Sequence, residues 1–357
     1  MGTKKLILFF SFACTLSFGQ EMIGADDLVT EGVAYYDKGD YEGAIKRYDK
    51  ALAQDKDNLR ALIEKGLTLL ALKKYDEAIE YSEKAIKAHP GMPSLKTAYL
   101  IYGNALDELK KTDKSIEIYE EAIKQFPDFY MLHFNKAVAL SSVKKNDEAM
   151  LCLQKSAWLN PRHAGTQNAI GLLSITGNKK IPAILAYSRF LAIEPETDRS
   201  KQNLKNLKKA IQGNVEVTGK KSVTINSTAD ALSLGDTTAD GKPKENDFGM
   251  AELILMLQTA TDIEKKNKKK TEVENFIRKF ETLCASLKEG QEKNYGFFWE
   301  YYVPYFIEMN EKNLIEPFAY IIYATDPDPS VLKWLKKNEE LTTKFFQWSK
   351  TFEWKQK

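Results

Sequence analysis

Residues 25–197 read as short helices separated by turns, and small apolar side chains return along them at a fixed interval. Gly32, Gly66, Gly103, Ala137 and Gly171 lie 34, 37, 34 and 34 residues apart, with the extra three residues at Pro93-Ser94-Leu95. Twelve residues after each comes a second small side chain: Ala44, Ala78, Ser115, Ala149 and Ala183. Seven further on stand Ala51, Ala85, Ala122 and Ser156, where Phe190 breaks the column. Five beyond those are Pro90, Pro127, Pro161 and Pro195, with Lys56 the exception. Agreement in 18 of 20 places marks an internal repeat, because small residues make up only about a quarter of ordinary composition.

The columns have a physical reading. A glycine inside a helix costs about 1 kcal/mol against alanine. It persists where two helix backbones approach closely. Each unit is therefore expected to be a pair of helices crossing at its small residues. Tyr48, Tyr119 and Tyr187 fill the space beside them. The turns within the pairs are expected at Gly39-Asp40, Lys73-Lys74, Thr112-Asp113, Asn146-Asp147 and Gly177-Asn178. Proline ends the second helix in four of the five units, since it lacks the N–H and clashes one turn back.

At these residues the chain resembles the tetratricopeptide-repeat (TPR) family. The stretch Gly32-x11-Ala44-x3-Tyr48-x2-Ala51 and its copies match the family pattern over residues 25–197. They depart from it where Glu31, Lys65 and Lys136 replace a usual leucine. The resemblance implies an all-α fold: a helix-turn-helix solenoid of five repeats whose concave face binds polypeptides. By that resemblance the peptide-binding groove holds Val33, Tyr36, Leu67, Leu70, Asn104, Phe134, Val138, Asn168 and Leu172. Such a groove is mostly apolar. Family members that grip a C-terminal carboxylate use cations beside their asparagines, and none accompanies Asn104 or Asn168, so that clamp is not expected. An apolar groove open to water is a liability. Either a partner segment covers it, or this chain's own C-terminal domain or linker does.

Beyond the repeats, Leu204, Leu207, Ala210 and Ile211 form one apolar stripe in a charged stretch, which predicts a capping helix over 199–211 ended by Gly213. The TPR region with its cap spans 20–213. Residues 214–247 read as a linker with a β-hairpin, Val215–Val217 pairing with Val223–Ile225. Residues 248–357 form a small helical domain holding half of the 40 aromatic residues and four of the five tryptophans. Helices are expected near 249–264, 271–289, 294–309, 313–324 and 330–354, the last starting at Asp328-Pro329-Ser330. The aromatic run 297–306 reads as a compact core. Its competing reading, a stacking platform for carbohydrate or lipid, makes the TPR half a presenting module.

The N-terminus is set apart. Lys4 and Lys5 precede a 13-residue apolar run, Leu6 to Phe18, followed by small residues. This order predicts a signal peptide over 1–19 and an exported, periplasmic or extracellular protein. The alternative is a lipid anchor through Cys14, against which Phe12 stands where a small residue is expected. No segment is long and apolar enough to span a bilayer. The net charge of +2 points to no nucleic acid.

Candidate chemistry adds little. Cys14, Cys152 and Cys284 form neither a metal-ligand spacing nor a disulfide framework, and Cys152 and Cys284 read as solitary thiols in preference to a bridge. No P-loop, dinucleotide fingerprint, nucleophile elbow or HExxH appears, so no catalytic residue, metal or cofactor is expected. His133 reads as packed. Glu264–Lys270, with five lysines, reads as a solvated interhelix loop, with an electrostatic patch for an acidic partner as its alternative. The functional expectation is an exported, non-enzymatic scaffold that binds other proteins or peptides.

Overall fold

The structure, a computed structural model, describes residues 23–213, 215–219, 222–226, 244–325 and 328–355. The expected signal peptide, Cys14 and linker residues 227–243 lie outside them. The chain divides into two compact units, Met1–Ile101 and Tyr102–Lys357.

The described residues are nearly all helical. The repeats give α1 (Ala25–Asp37), α2 (Tyr41–Gln54), α3 (Leu59–Ala71), α4 (Tyr75–Ala88), α5 (Leu95–Glu108), α6 (Thr112–Gln125), α7 (Tyr130–Ser142), α8 (Asn146–Leu159), α9 (Ala164–Thr176) and α10 (Lys180–Ile193). The cap follows as α11 (Asp198–Gln212). Odd-numbered helices to α9 are the first of each pair, and even-numbered ones are the second.

The small residues sit at the crossings. A Cβ on Gly171 would lie 2.6 Å from the Tyr187 ring, and Cβ atoms on Gly32 and Gly103 would collide with Tyr48 and Tyr119. At Gly66 the opposing side chain is Ser82, and the nearest atom would be an ordinary 3.5 Å away. Glycine is thus obligatory only where tyrosine faces it.

The turn inside each pair is also periodic. One residue takes positive φ: Gly39 (79°), Lys73 (60°), Lys110 (62°), Lys144 (64°) and Asn178 (58°). The next N–H then bonds a carbonyl five residues back, as in Lys74 N–H to Leu69 O (2.9 Å) and Lys145 N–H to Leu140 O (3.0 Å). This is the Schellman closure of a helix C-terminus. It corrects two expected turns. Thr112-Asp113 and Asn146-Asp147 begin α6 and α8, where acidic residues suit the helix dipole, and the turns fall at Lys110-Lys111 and Lys144-Lys145.

The hairpin forms as read: β1 (Val215–Gly219) pairs antiparallel with β2 (Ser222–Ile225), Val215 opposite Ile225. It is the departure from an all-α architecture. After it come α12 (Gly249–Ala260), a 3₁₀ turn (Thr261–Ile263), α13 (Glu272–Gly290), α14 (Phe297–Tyr301), α15 (Val303–Glu311), α16 (Ile315–Tyr323), α17 (Pro329–Lys337) and α18 (Glu339–Thr351). Two expected helices are broken. The third breaks at Tyr302, two residues before Pro304, which has no N–H to give to the preceding turn. The last breaks at Asn338 (φ −123°, ψ 37°), whose side-chain amide caps Trp334 O at 2.8 Å. Asp328 starts α17 as expected, accepting from Ser330 N–H at 2.6 Å.

Candidate peptide-binding face

In the first unit, the first helices α1 and α3 carry four of the expected groove residues. Val33 and Tyr36 are half-buried and pack against the cluster of Leu28, Val29, Ala44, Tyr48, Ala51 and Ala61. Leu67 and Leu70 are half-buried too. The Tyr36 ring lies 5.2 Å from that of Tyr41. Burial raises the Tyr36 pKa, and Tyr41, Glu64 and Asp37 add to the effect. Glu64 sits among these groups. Burial raises its carboxyl pKa, Arg60 opposes that, and Asp37 adds to it. The carboxylates Glu64 and Asp37, with the Arg60 cation, thus accompany the apolar residues of this face.

In the second unit, Val138 on α7 and Leu172 on α9 occupy equivalent places in consecutive repeats. They are 45% and 54% exposed, high values for large aliphatic side chains. Phe134 and Asn168 are half-buried between turns of the same helices. The Phe134 ring meets His163 edge-on at 4.7 Å. Asn104 is tied inward: its Oδ1 accepts from the Tyr119 hydroxyl (2.6 Å) and from Asn135 Nδ2 (2.9 Å). Its carbonyl thus joins α5, α6 and α7, leaving the amide N–H₂ as the group that would meet a ligand.

His133 is buried, as read. Its Nε2 lies 2.7 Å from Pro127 O, and burial lowers its pKa despite that bond. His163 caps α9, its Nδ1 accepting from Thr166 N–H; burial, then Arg199, lower its pKa. Cys152 and Cys284 are separate free thiols, and burial pushes both pKa values up.

Within the second unit, the C-terminal helices pack against the fourth and fifth repeats. Trp158 on α8 meets Tyr301 edge-on at 4.9 Å, and the Tyr301 hydroxyl donates to Ala157 O at 3.3 Å. Gln167, fully buried, donates to the Tyr301 hydroxyl (3.1 Å) and accepts from Tyr302. On α10, Lys180 pairs with Glu252 (2.8 Å) in a buried contact. Arg189 lies between the rings of Tyr305 (4.7 Å) and Trp354 (4.9 Å) and donates to Ser349 Oγ at 3.0 Å. This corrects one expectation. The chain's own C-terminal helices cover α10, touch the C-terminal end of α8 and Gln167 on α9, and leave Val138 and Leu172 open, as they do Leu151 on α8. The expected aromatic core is found: Phe297, Phe298, Trp299, Tyr301, Tyr302, Tyr305 and Phe306 are all buried. The carbohydrate or lipid platform loses its rings to that core.

Arg189 and Gln167 were not singled out by the sequence reading. For Arg189 a signal existed: from Ile181 to Tyr187, two full turns, α10 is apolar around its whole circumference, the mark of a helix buried on every side.

Models of the tetratricopeptide repeat match residues 29–93 and 97–128. Those residues carry TPR repeats, and the helix pairs of α7–α10 continue the same architecture. Solved structures with similar folds include a thermophilic TPR protein in Thermus thermophilus, at 18% identity, 52% of this chain, 100% of that one and TM-score 0.45. Pseudomonas aeruginosa PilF aligns at 18% identity, 52% of this chain, 83% of that one and TM-score 0.46. YrrB, described as a TPR protein with an unusual peptide-binding site, aligns at 19% identity, 53% of this chain, 94% of that one and TM-score 0.40. These likenesses are of fold alone. No curated protein matches the sequence. Among the described residues, no helix is long and apolar enough to cross a membrane.

Proposed function

We propose that this protein is an exported interaction scaffold that captures a polypeptide segment on the first-helix face of its repeats. The observation that carries the reading is the pair Val138 and Leu172. Both stay open to water while the C-terminal helices bury α10, the second helix of the fifth repeat. Leaving large aliphatic side chains half exposed at equivalent places of consecutive repeats forgoes about 1 kcal/mol each, which a bound apolar segment recovers. An amphipathic helix or an extended apolar peptide has the matching surface. Phe134 and Asn168 would extend the contact within the second unit, with Asn104 offering its amide. Val33, Tyr36, Leu67 and Leu70 would offer the equivalent face in the first. Export rests on Lys4, Lys5 and the apolar run to Phe18. The reading requires no catalytic step.

The test uses the full chain as bait in an envelope extract, followed by binding of the captured polypeptide to purified variants. Val138→Glu with Leu172→Glu is the chosen pair, because both side chains are exposed and the fold tolerates them. Capture should fall at least tenfold while helical circular dichroism stays unchanged. Val33→Glu is a poorer probe, since Val33 packs on the core. Undiminished capture by the double variant removes this face from consideration.

A further inference from the structure

The second unit holds a recess far in sequence from the repeat face. It is a cavity of about 410 Å³ lined from α11, the 3₁₀ turn, α13 and α16. Ile211, Phe276 and Tyr323 line its apolar part, and Lys208, Lys209 and Lys279 bring cations to its walls. Lys208 Nζ lies 4.6 Å over the Tyr323 ring and 3.0 Å from Glu272.

Three features go beyond a solvated run of lysines. First, the lining carries Lys208, Lys209 and Lys279 against Asp262 and Glu272, and the turn 264–270, joined to the lining residue Asn275 through Asn267, adds five lysines to one glutamate. Second, the lysine-rich turn is held in place. Asn267, 2% exposed, donates from Nδ2 to Thr261 O at 2.9 Å, and its own carbonyl accepts from Asn275 at 3.1 Å. Lys268 N–H and Lys270 N–H close the turn onto Glu264 and Asn267. Cations presented from an ordered backbone lose less entropy on binding than those of a free loop. Third, the wall is overcharged. Asp262 alone accepts both Lys279, at 2.8 Å, and Arg278, and both cations are largely shielded from water. The Arg278 Nε, also buried, has no partner among the described residues. Two shielded cations on one carboxylate leave a positive wall, and Lys279 presents that charge to the cavity.

We propose that this cavity and its lysine rim dock an acidic polypeptide segment, with one apolar or aromatic side chain of that segment entering the recess. A recess suits a side chain, whereas a flat bilayer meets only the rim. Binding is independent of the repeat face and is steered by charge, so it weakens with salt.

The test is fluorescence anisotropy of the full chain with a labelled peptide of glutamates flanking one tryptophan. A peptide with lysines in place of the glutamates and phosphatidylglycerol vesicles serve as the other arms. The acidic peptide should bind at low salt and lose affinity at least tenfold in the variant Lys209→Glu/Lys265→Glu/Lys269→Glu, whose three side chains are exposed. Binding should be untouched in Val138→Glu/Leu172→Glu, so this proposal and the repeat-face reading stand or fall separately. The proposal is overturned by no binding of the acidic peptide, by equal binding of the triple variant or the lysine peptide, or by vesicle binding that the triple variant abolishes in the absence of peptide binding.

Discussion

The second helices of the first and fifth repeats, α2 and α10, share a pattern and differ in fate. Ala44 and Tyr48 on α2 correspond to Ala183 and Tyr187 on α10. Yet α2 buries only Ala44, Tyr48 and Ala51, while α10 buries every residue from Lys180 to Ala192. The repeat pattern supplies one buried stripe per helix, and both helices have it. Everything else that α10 buries comes from the cap and the C-terminal helices. A repeat unit thus becomes core or surface according to what is laid against its outer side.

The sharpest way to break that comparison is a matched truncation. Ile45 and Ile184 each follow the small residue of their helix, but Ile184 is fully buried and Ile45 is half-buried. Ile184→Ala should cost about 3 kcal/mol and Ile45→Ala about 1 kcal/mol, measured by urea unfolding with hydrogen exchange to locate the loss. Equal costs would mean that the C-terminal helices do not make α10 a core element.

A smaller effect separates what the repeat itself contributes. Gly103→Ala should cost about 2 kcal/mol, because the added methyl group meets Tyr119. Gly66→Ala should be neutral or gain up to about 1 kcal/mol, since the space is open and alanine favours helix. Thermal melting distinguishes the two. Similar losses at both sites would refute the account of the small-residue column as a seat for tyrosine.

The smallest effect is a pH dependence of the second unit. The folded His133 and His163 have pKa values below the ordinary imidazole value, chiefly through burial. The folded state therefore prefers them neutral. Their contribution is fully present above the unfolded pKa near 6.5 and is lost as pH falls from there through the lowered folded values. Melting temperature should drop between about pH 7 and pH 5, and His163→Asn, which keeps an acceptor for Thr166 N–H, should reduce the drop. An unchanged pH profile in that variant would take His163 out of the account.

Much of this molecule was legible because its regularity is local. The small-residue columns forecast the pairs α1–α10, and one apolar stripe forecast α11. The alternating Val215–Val217 and Val223–Ile225 forecast the hairpin. The turns were harder. Thr112 and Asn146 look like turn formers but open helices, while Lys110 and Lys144 adopt positive φ because the Schellman closure requires it there whatever the side chain. Of the candidate face, Val138 and Leu172 were legible as positions. Their exposure, and the inward commitment of Asn104 to Tyr119 and Asn135, were not.

The sequence by itself determined the helical pairs, since close backbone crossing demands small side chains at a fixed period and leaves that demand written in the chain. Only the tertiary structure decided which sides of those pairs meet water. The residues that settle it, such as Gln167 with Tyr301 and Arg189 with Ser349, are more than a hundred positions apart. No periodicity links groups at such a distance. Their pairing follows from how buried polar atoms find partners once the helices have packed.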